Sequence, residues 1–205
     1  MSKTIETTVF SFDDFERRGG LFTDMLRARK KAFIEKNGWD LPENFSMEFD
    51  QYDTPMSHYV VIRRDGVVVS GVRLTPTTAK VMLYSYMIRD AQKGLLPTLP
   101  ETLMDILAPV DPLVWEASRT FISDDVPADE RHNLRKTYVR GLLDGAHRVG
   151  ATHLITLMSI SWPLYARRYN LSMKPLGQPI DVGTPHQVVM IDIMASEAIA
   201  AAKAA

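Results

Sequence analysis

The amino-acid sequence predicts an α/β fold, one mixed β-sheet flanked by helices, and three observations carry that prediction. The runs HYVVIRR and VVVSGVRL, joined by Asp65-Gly66, are two β-rich segments on either side of a tight turn. Three further strand-length apolar runs follow, LVWEASRTFIS, THLITLMSI and HQVVMIDI, with a long amphipathic stretch between the first two and WPLYARRY between the last two. A hairpin followed by strands that alternate with helices fits a mixed sheet rather than a strictly doubly wound one.

Residues 13–37 set Phe15, Phe22, Met25, Leu26, Ala32 and Phe33 among many charges, a helical pattern split by Gly19-Gly20. A helix is therefore expected from about Leu21 to Lys36, stopped at Asn37-Gly38. After the hairpin, residues 75–112 are rich in Pro, Thr and Met with weak periodicity, which predicts a long connection with short helices. LVWEASRTFIS is a buried-strand candidate, and Asp124 to Val149 places Leu134, Tyr138, Leu142, Leu143 and Ala146 at helical spacing. A strand, a short helix and a final strand complete the order. The Ala-rich end MASEAIAAAKAA predicts a loose helix or frayed end, so the expected organisation is a single domain over 1–193 and a tail over 194–205.

With 205 residues, 45% of them hydrophobic, the chain can bury one good core, and a net charge of -1 gives no reason to expect a nucleic-acid partner. It has no cysteine, which rules out disulfides, thiolate metal sites and a Cys nucleophile. The start MSKTIETTVFSFDDFERRGG lacks the apolar core of a signal peptide, and no apolar stretch approaches the roughly 20 residues of a membrane span. A cytoplasmic protein without a membrane partner is expected. Neither GxGxxG, GxxxxGK[ST] nor GxSxG occurs, and the five histidines lack HExxH or similar spacing, so neither a nucleotide loop, a serine elbow nor a metal is expected.

What remains is charge where a strand or buried helix face would be apolar. Arg73 ends VVVSGVRL, Glu116 and Arg119 lie inside LVWEASRTF, and Asp50 and Asp53 close EFDQYD. Charges of both signs in such runs must pair with each other or with a charged ligand. Asp50 and Asp53 are close enough in sequence to share one Arg or one cationic group, and Arg29 and Phe33, four apart, share a helix face. In a regular strand Glu116 and Ser118 project to one face and Arg119 to the other, unless a bulge re-aims one of them. An Arg–carboxylate network that only pins loops to a sheet fits the same pattern, and Trp39 near Pro42 fits a loop anchor.

In combination, RKKAFIEKNGWD, EFDQYD, GVRLTPTT followed by VML, and VWEASR, in this order, resemble the acyl-homoserine lactone synthases, the bacterial autoinducer synthases. The matching positions are Arg29, Phe33, Trp39, Asp50, Asp53, Arg73, Glu116 and Arg119, and the resemblance runs from about residue 20 to 193. It implies a GNAT-like acyltransferase fold with a V-shaped cleft between central strands. It also implies a reaction in which the amino group of S-adenosylmethionine takes an acyl group from a thioester of acyl carrier protein or coenzyme A. The carboxylate then closes onto the γ-carbon, releasing methylthioadenosine and the lactone. S-adenosylmethionine is thus a substrate, and no cofactor is expected.

That chemistry assigns provisional roles. Arg29 and Arg119 anchor a carboxylate or organise the acidic pair, Asp50 and Asp53 hold the cationic end or fix those arginines, and Phe33 and Trp39 cover the ligand. Glu116 is the candidate general base, Arg73 a partner of the acidic residues, and backbone N–H groups at the sheet opening serve the tetrahedral intermediate. Met82, Met87, Leu103, Met104, Leu157, Met158 and Trp162 are candidates for the acyl tunnel, each equally readable as core. Where many members of the family have a Thr able to bond a 3-oxo group, this chain has Met158 or, at a one-residue slip, Ser159, and Met158 there would favour an unsubstituted chain. Arg167, Arg168 and Lys174 form a candidate patch for an acidic carrier protein, with Arg135, Lys136 and Arg140 a second basic group. Two positions depart from the family: MLYSYM puts Met87 where a Phe is usual and Ser85 where an acid is usual. The other readings are a GNAT-like N-acyltransferase for another amine and a non-catalytic relative that binds S-adenosylmethionine or a lactone. SDDVPADERHNL, which follows the VWEASRTFIS strand, lacks the pyrophosphate loop expected of the first.

Overall fold

The computed structural model describes residues 4–204. The ends of the expected domain and tail, residues 1–3 and 205, lie outside the described residues. The described chain gathers into two compact units, one from 4–74 with 119–145 and one from 75–118 with 146–204.

In the first unit, β1 (Ile5–Ser11) runs antiparallel to β4 (His58–Arg64), which pairs antiparallel with β5 (Val67–Pro76). The hairpin turn is as expected, with Asp65 and Gly66 both in the left-handed region at φ 51 and 83. The end of β6 (Val114–Ile122) continues this sheet: the Ser70 hydroxyl donates to Phe121 O, and Ser123 N–H donates to Val69 O. Two short strands, β2 (Glu43–Asn44) and β3 (Met47–Glu48), form a separate small hairpin. α1 (Phe15–Lys30) packs Met25, Leu26 and the following Phe33 against Phe10, Tyr59, Val61, Val68 and Phe121.

α1 departs from the expected break. It passes straight through Gly19-Gly20, each of which weakens a helix by about 1 kcal/mol relative to Ala. An aromatic cluster offsets that cost: Phe22 meets the Phe12, Phe15 and Tyr59 rings at centroid distances of 5.2, 5.9 and 5.2 Å. The helix changes at its other end, where Lys31–Lys36 form a π-helical turn that closes at Gly38 (φ 67). β1 was not expected, although its Ile, Val and three hydroxyl residues suit an edge strand.

In the second unit, the start of β6 pairs in parallel with β7 (His153–Ser159), and β7 lies antiparallel to β10 (Pro185–Asp192). β10 carries β8 (Ser172–Pro175) and the two-residue β9 (Ile180–Asp181) along its other edge. The parallel pairing of β6 with β7 sets Val114–Glu116 against His153–Ile155. α2 (Met87–Gln92) sits within the long connection, and α4 (Trp162–Tyr169) follows β7. Tyr86, Ile88, Leu103, Met104, Ile155 and Val188 form the core here. The fold is α/β, with a mixed sheet and helices, as the sequence predicts.

α3 (Arg131–Arg148) starts seven residues later than the apolar spacing suggested. Pro127 and its neighbours form turns instead, with the Arg131 guanidinium donating to the Asp124 and Val126 carbonyls. The Ala-rich end is a helix, α5 (Ile193–Ala204), tied at its start: Ser172 N–H donates to the Ser196 hydroxyl, which donates to Asp192 O. Among the described residues, no helix is long and apolar enough to cross a membrane.

α3 rests on the sheet through glycine. A Cβ at Gly145 would stand 2.6 Å from Val60 Cγ2 and 3.2 Å from Leu74 Cδ1, both on fully buried side chains. Gly145→Ala is expected to lower the unfolding free energy by about 1–3 kcal/mol, read from urea denaturation midpoints. A loss below about 0.5 kcal/mol would show that α3 docks with more slack than this geometry has.

Candidate active site

Five of the six charged residues singled out in the sequence, Arg29, Asp50, Asp53, Arg73 and Arg119, converge within the first unit. Arg29, on the last turn of α1, donates from Nε to Glu48 Oε2 (2.5 Å) and with a bidentate fork to Asp53 Oδ1 and Oδ2 (2.7 and 3.0 Å). Arg73, on β5, donates to both oxygens of Asp50 (2.6 and 3.3 Å) and lies 3.1 Å from Asp53 Oδ1. Arg119, on β6, donates from Nε to Glu48 Oε1 (3.1 Å) and pairs through NH2 with Asp50 Oδ2 at 2.7 Å. Three guanidiniums thus meet three carboxylates, and the formal charges cancel.

Local backbone bonds shape the acidic loop before any arginine reaches it. Asp53 Oδ2 accepts from Asp50 N–H, and Asp50 Oδ1 accepts from Tyr52 N–H, both at 2.9 Å, so each carboxylate is fixed by its own turn. The Tyr59 hydroxyl, from β4, donates to Asp53 Oδ1. The Arg73 guanidinium lies over the Tyr52 ring, 5.5 Å from its centroid.

Burial sets the electrostatics. Desolvation alone would raise Asp53, but the neighbouring Arg73 and Arg29 cations overcome it and hold the carboxyl well below the usual range. Asp50 is lowered in the same way, burial being opposed by Arg73 and Arg119. Burial pulls Arg29 and Arg73 down, and the carboxylates beside them, Asp53 with Glu48 and Asp50 with Asp53, outweigh it so that both stay charged. Desolvation, helped by the Asp53 charge, keeps the Tyr59 phenol protonated and able to donate.

Arg119 stands apart in two respects. Its side chain is 12% exposed, whereas the other five lie between 0 and 3%. Its backbone is left-handed, with φ 55, unusual for an arginine inside a strand. That kink ends the alternation by which Arg119 was expected to project opposite Glu116, and it turns the guanidinium to Glu48 and Asp50. Phe33, on the π-helical turn, stacks on Trp39 at 5.1 Å with the rings nearly parallel, and Trp39 stays 38% exposed. Beside Phe33 a cleft of about 800 Å³ is lined by Ala28, Ala32, Val68, Thr120 and Phe121, with Lys31–Asp125 and Lys36–Asp124 ion pairs on its rim.

The remaining predicted positions lie in the second unit. Glu116 is fully buried and accepts from Met87 N–H (3.2 Å) and Ile88 N–H (2.8 Å), capping the start of α2. Met87 and Leu157 pack against the core of this unit, and Leu103 and Met104 belong to it. Met158 is half-buried on β7 opposite Gln187, whose side chain accepts from the Trp162 indole. Met82 is a correction: it is 92% exposed at the tip of a tight Val81–Tyr84 turn, in the left-handed region, and lines no tunnel. Arg167 and Arg168 on α4 and Lys174 on β8 are exposed. Among the described residues no group of His, Cys, Asp or Glu is placed to hold a metal ion.

Glu48 is the member that sequence reasoning missed. It begins the EFDQYD stretch, and the signal available was its spacing: Glu48 and Asp50 lie two apart, on one face of an extended segment. Tyr59 gave no signal beyond an ordinary place in a strand.

A profile of the autoinducer synthase family matches residues 14–201. An acyl-homoserine-lactone synthase of Ralstonia solanacearum is 30% identical over 184 residues, 86% of this chain and 84% of that protein. Another, from Pseudomonas aeruginosa, is 29% identical over 162 residues, covering 78% and 72%. The solved structure of a CoA-dependent acyl-homoserine lactone synthase, BjaI, with SAM and isopentyl-CoA superposes with a TM-score of 0.74 at 21% identity, over 96% of this chain and 88% of that one. An acyl-CoA N-acyltransferase from Pseudomonas aeruginosa gives a TM-score of 0.55 at 15% identity, over 91% and 99%. These two structural likenesses show that the chain shares its fold with both proteins.

The depressed Asp50 and Asp53 set the acid limit of the fold. Each contributes stability that is complete above the unfolded carboxyl range, about pH 4, and lost as pH falls towards the folded values. Urea midpoints are expected to stay flat between about pH 7 and 5 for this pair and to fall below about pH 4. Asp53→Asn, which leaves Arg29 and Arg73 under-compensated, should cost about 3–5 kcal/mol at neutral pH and make the acid limb shallower. An acid limb equally steep in both proteins would contradict the assignment.

Proposed function

The chain belongs to the autoinducer synthase family, and from that premise we propose how its residues divide the work of an acyl-homoserine-lactone synthase. Such an enzyme is an acyltransferase that acts on S-adenosylmethionine and an acyl thioester. The observation that carries the assignment is the neutral, buried set of six charges with Arg119 alone reaching solvent.

S-adenosylmethionine brings an ammonium, a carboxylate and a sulfonium. Arg29 spends its three nitrogens on Glu48 and Asp53, so of the two candidate anchors it is the organiser, and Arg119 takes the substrate carboxylate. Asp50, paired with Arg119, attracts the ammonium, while Asp53 and Arg73 fix the loop that carries Asp50. Phe33 and Trp39 supply the aromatic face for the cationic ligand.

Glu116, or a water it holds, takes a proton from the ammonium so that the free amine can attack the thioester carbonyl. The C–N bond forms, the C–S bond breaks, the second proton of the nitrogen goes to the departing sulfur so that a thiol leaves, and the proton held by Glu116 passes to solvent. The carboxylate oxygen then displaces the sulfonium at the γ-carbon, releasing neutral methylthioadenosine and the lactone. Met87 and Met158 line the acyl site, and Met158 offers no hydroxyl to a 3-oxo group, in favour of an unsubstituted chain. The donor is a thioester of acyl carrier protein or coenzyme A, and Arg167, Arg168 and Lys174 receive an acidic carrier protein. Both substrates are cytoplasmic molecules, which places the reaction there. Residues 1–193 supply all of these parts, and we treat them as one synthase domain.

Mass spectrometry of culture extract from a heterologous host is expected to find an acyl-homoserine lactone with the intact chain and none with Glu116→Ala. Folded protein that yields no lactone in hosts supplying different thioesters would overturn the reading. Reversing two charges, Arg167→Glu with Arg168→Glu, should raise KM for a carrier-linked donor about tenfold and leave a coenzyme A donor unaffected. Equal effects on both donors would remove the carrier role.

A further inference from the structure

Glu48 is absent from the set of charged positions on which the family resemblance rests, yet it is the residue that joins the two arginines with different duties. It is fully buried, and its oxygens divide between them, Oε2 accepting from Arg29 Nε and Oε1 from Arg119 Nε. Asp50 takes NH2 of Arg119, so one edge of the guanidinium is clamped between two carboxylates. Arg119 also holds a left-handed backbone that an arginine adopts at a cost and keeps only where the surroundings impose it.

The element that delivers Glu48 is itself strained. The turn between β2 and β3 is made by Phe45 and Ser46 at φ 47 and 68, neither a glycine, with the Phe45 side chain in solvent. Two residues in that region fit a tight hairpin turn, and the fold accepts a non-glycine pair there. The hairpin packs on α1, the helix that carries Arg29. Strain concentrated in a two-strand hairpin whose last residue is a buried acid is explained if that acid must sit at one place.

We propose that Glu48 is a positioning residue that aims Arg119 at the α-carboxylate of S-adenosylmethionine. It acts by locking Nε of Arg119 to Nε of Arg29 through one carboxylate, so that the remaining edge of Arg119 faces the ligand. This rests on the synthase reading and on Arg119 as the carboxylate anchor. The proposed contact is to the carboxylate alone, so removing the lock is expected to leave binding of the nucleoside part unchanged.

Calorimetric titration with two nucleosides tests it. S-adenosylhomocysteine carries the carboxylate and ammonium, and methylthioadenosine carries neither. Glu48→Gln is expected to weaken S-adenosylhomocysteine binding about tenfold, the weight of roughly one charge-assisted hydrogen bond, and to leave methylthioadenosine binding unchanged. In turnover, KM for S-adenosylmethionine should rise by a similar factor with kcat within about threefold. Glu48→Asp, whose carboxylate is one methylene shorter and reaches one arginine at most, carries the same expectation and serves if the glutamine variant does not fold. Equal weakening of both nucleosides, or of neither, overturns the proposal. Failure of the unmodified chain to bind either nucleoside would instead overturn the synthase reading.

Discussion

The buried meeting of Arg29, Arg73 and Arg119 with Glu48, Asp50 and Asp53 is the constraint to which the first unit is built. Each of these ions taken alone would cost several kcal/mol to remove from water, and losing one partner of a buried pair typically costs about 3–5 kcal/mol. The six are tolerable together because their charges cancel and because backbone and tyrosine donors occupy lone pairs the arginines leave. α1, β3, the 50–53 loop, β5 and β6 each contribute at least one member, so none of them can shift without stranding a charge. The hydrophobic core of the unit supplies the driving force for collapse, and the ionic set decides which collapsed arrangement is acceptable.

This arrangement suits a substrate that itself carries both signs. A site preorganised by mutual ion pairs does not need to reorient its dipoles when a ligand arrives. Arg119 is the most exposed member of the set, held at a backbone angle that strands rarely permit. In the π-helical turn that follows α1, wider than an α-helical one, Phe33 lies flat against Trp39. In the second unit Glu116 is held by the start of α2, which ties a short helix of the long connection to a central strand.

Much of this was legible residue by residue. The Asp65-Gly66 hairpin needs two left-handed positions, and that dipeptide is one of the few that accepts them. Arg73, Glu116 and Arg119 were visible because a charge inside an apolar run has few explanations. Glu48 was harder: an acid at the edge of a polar loop is ordinary, and only the arrival of two arginines from residues 19 and 71 positions away gives it meaning. The Gly19-Gly20 pair misled for the opposite reason. Local propensity argues for a break, and a cluster of four aromatic rings, assembled from α1, its preceding turn and β4, outweighs it. The start of α3 was misplaced because apolar spacing says where a helix can bury a face, not where a proline-containing turn ends.

By itself, then, the amino-acid order determined the element types, the tight turn, and the set of ionisable residues that could not remain alone, because those depend on local sterics and on the cost of burying charge. Only the tertiary structure decided which acid meets which arginine, that Arg119 takes a left-handed backbone within its strand, and that Glu48 as well as Asp50 pairs with it. Those outcomes rest on contacts between segments far apart in the chain, where the pairing of six charges is solved jointly, and no local pattern carries the solution.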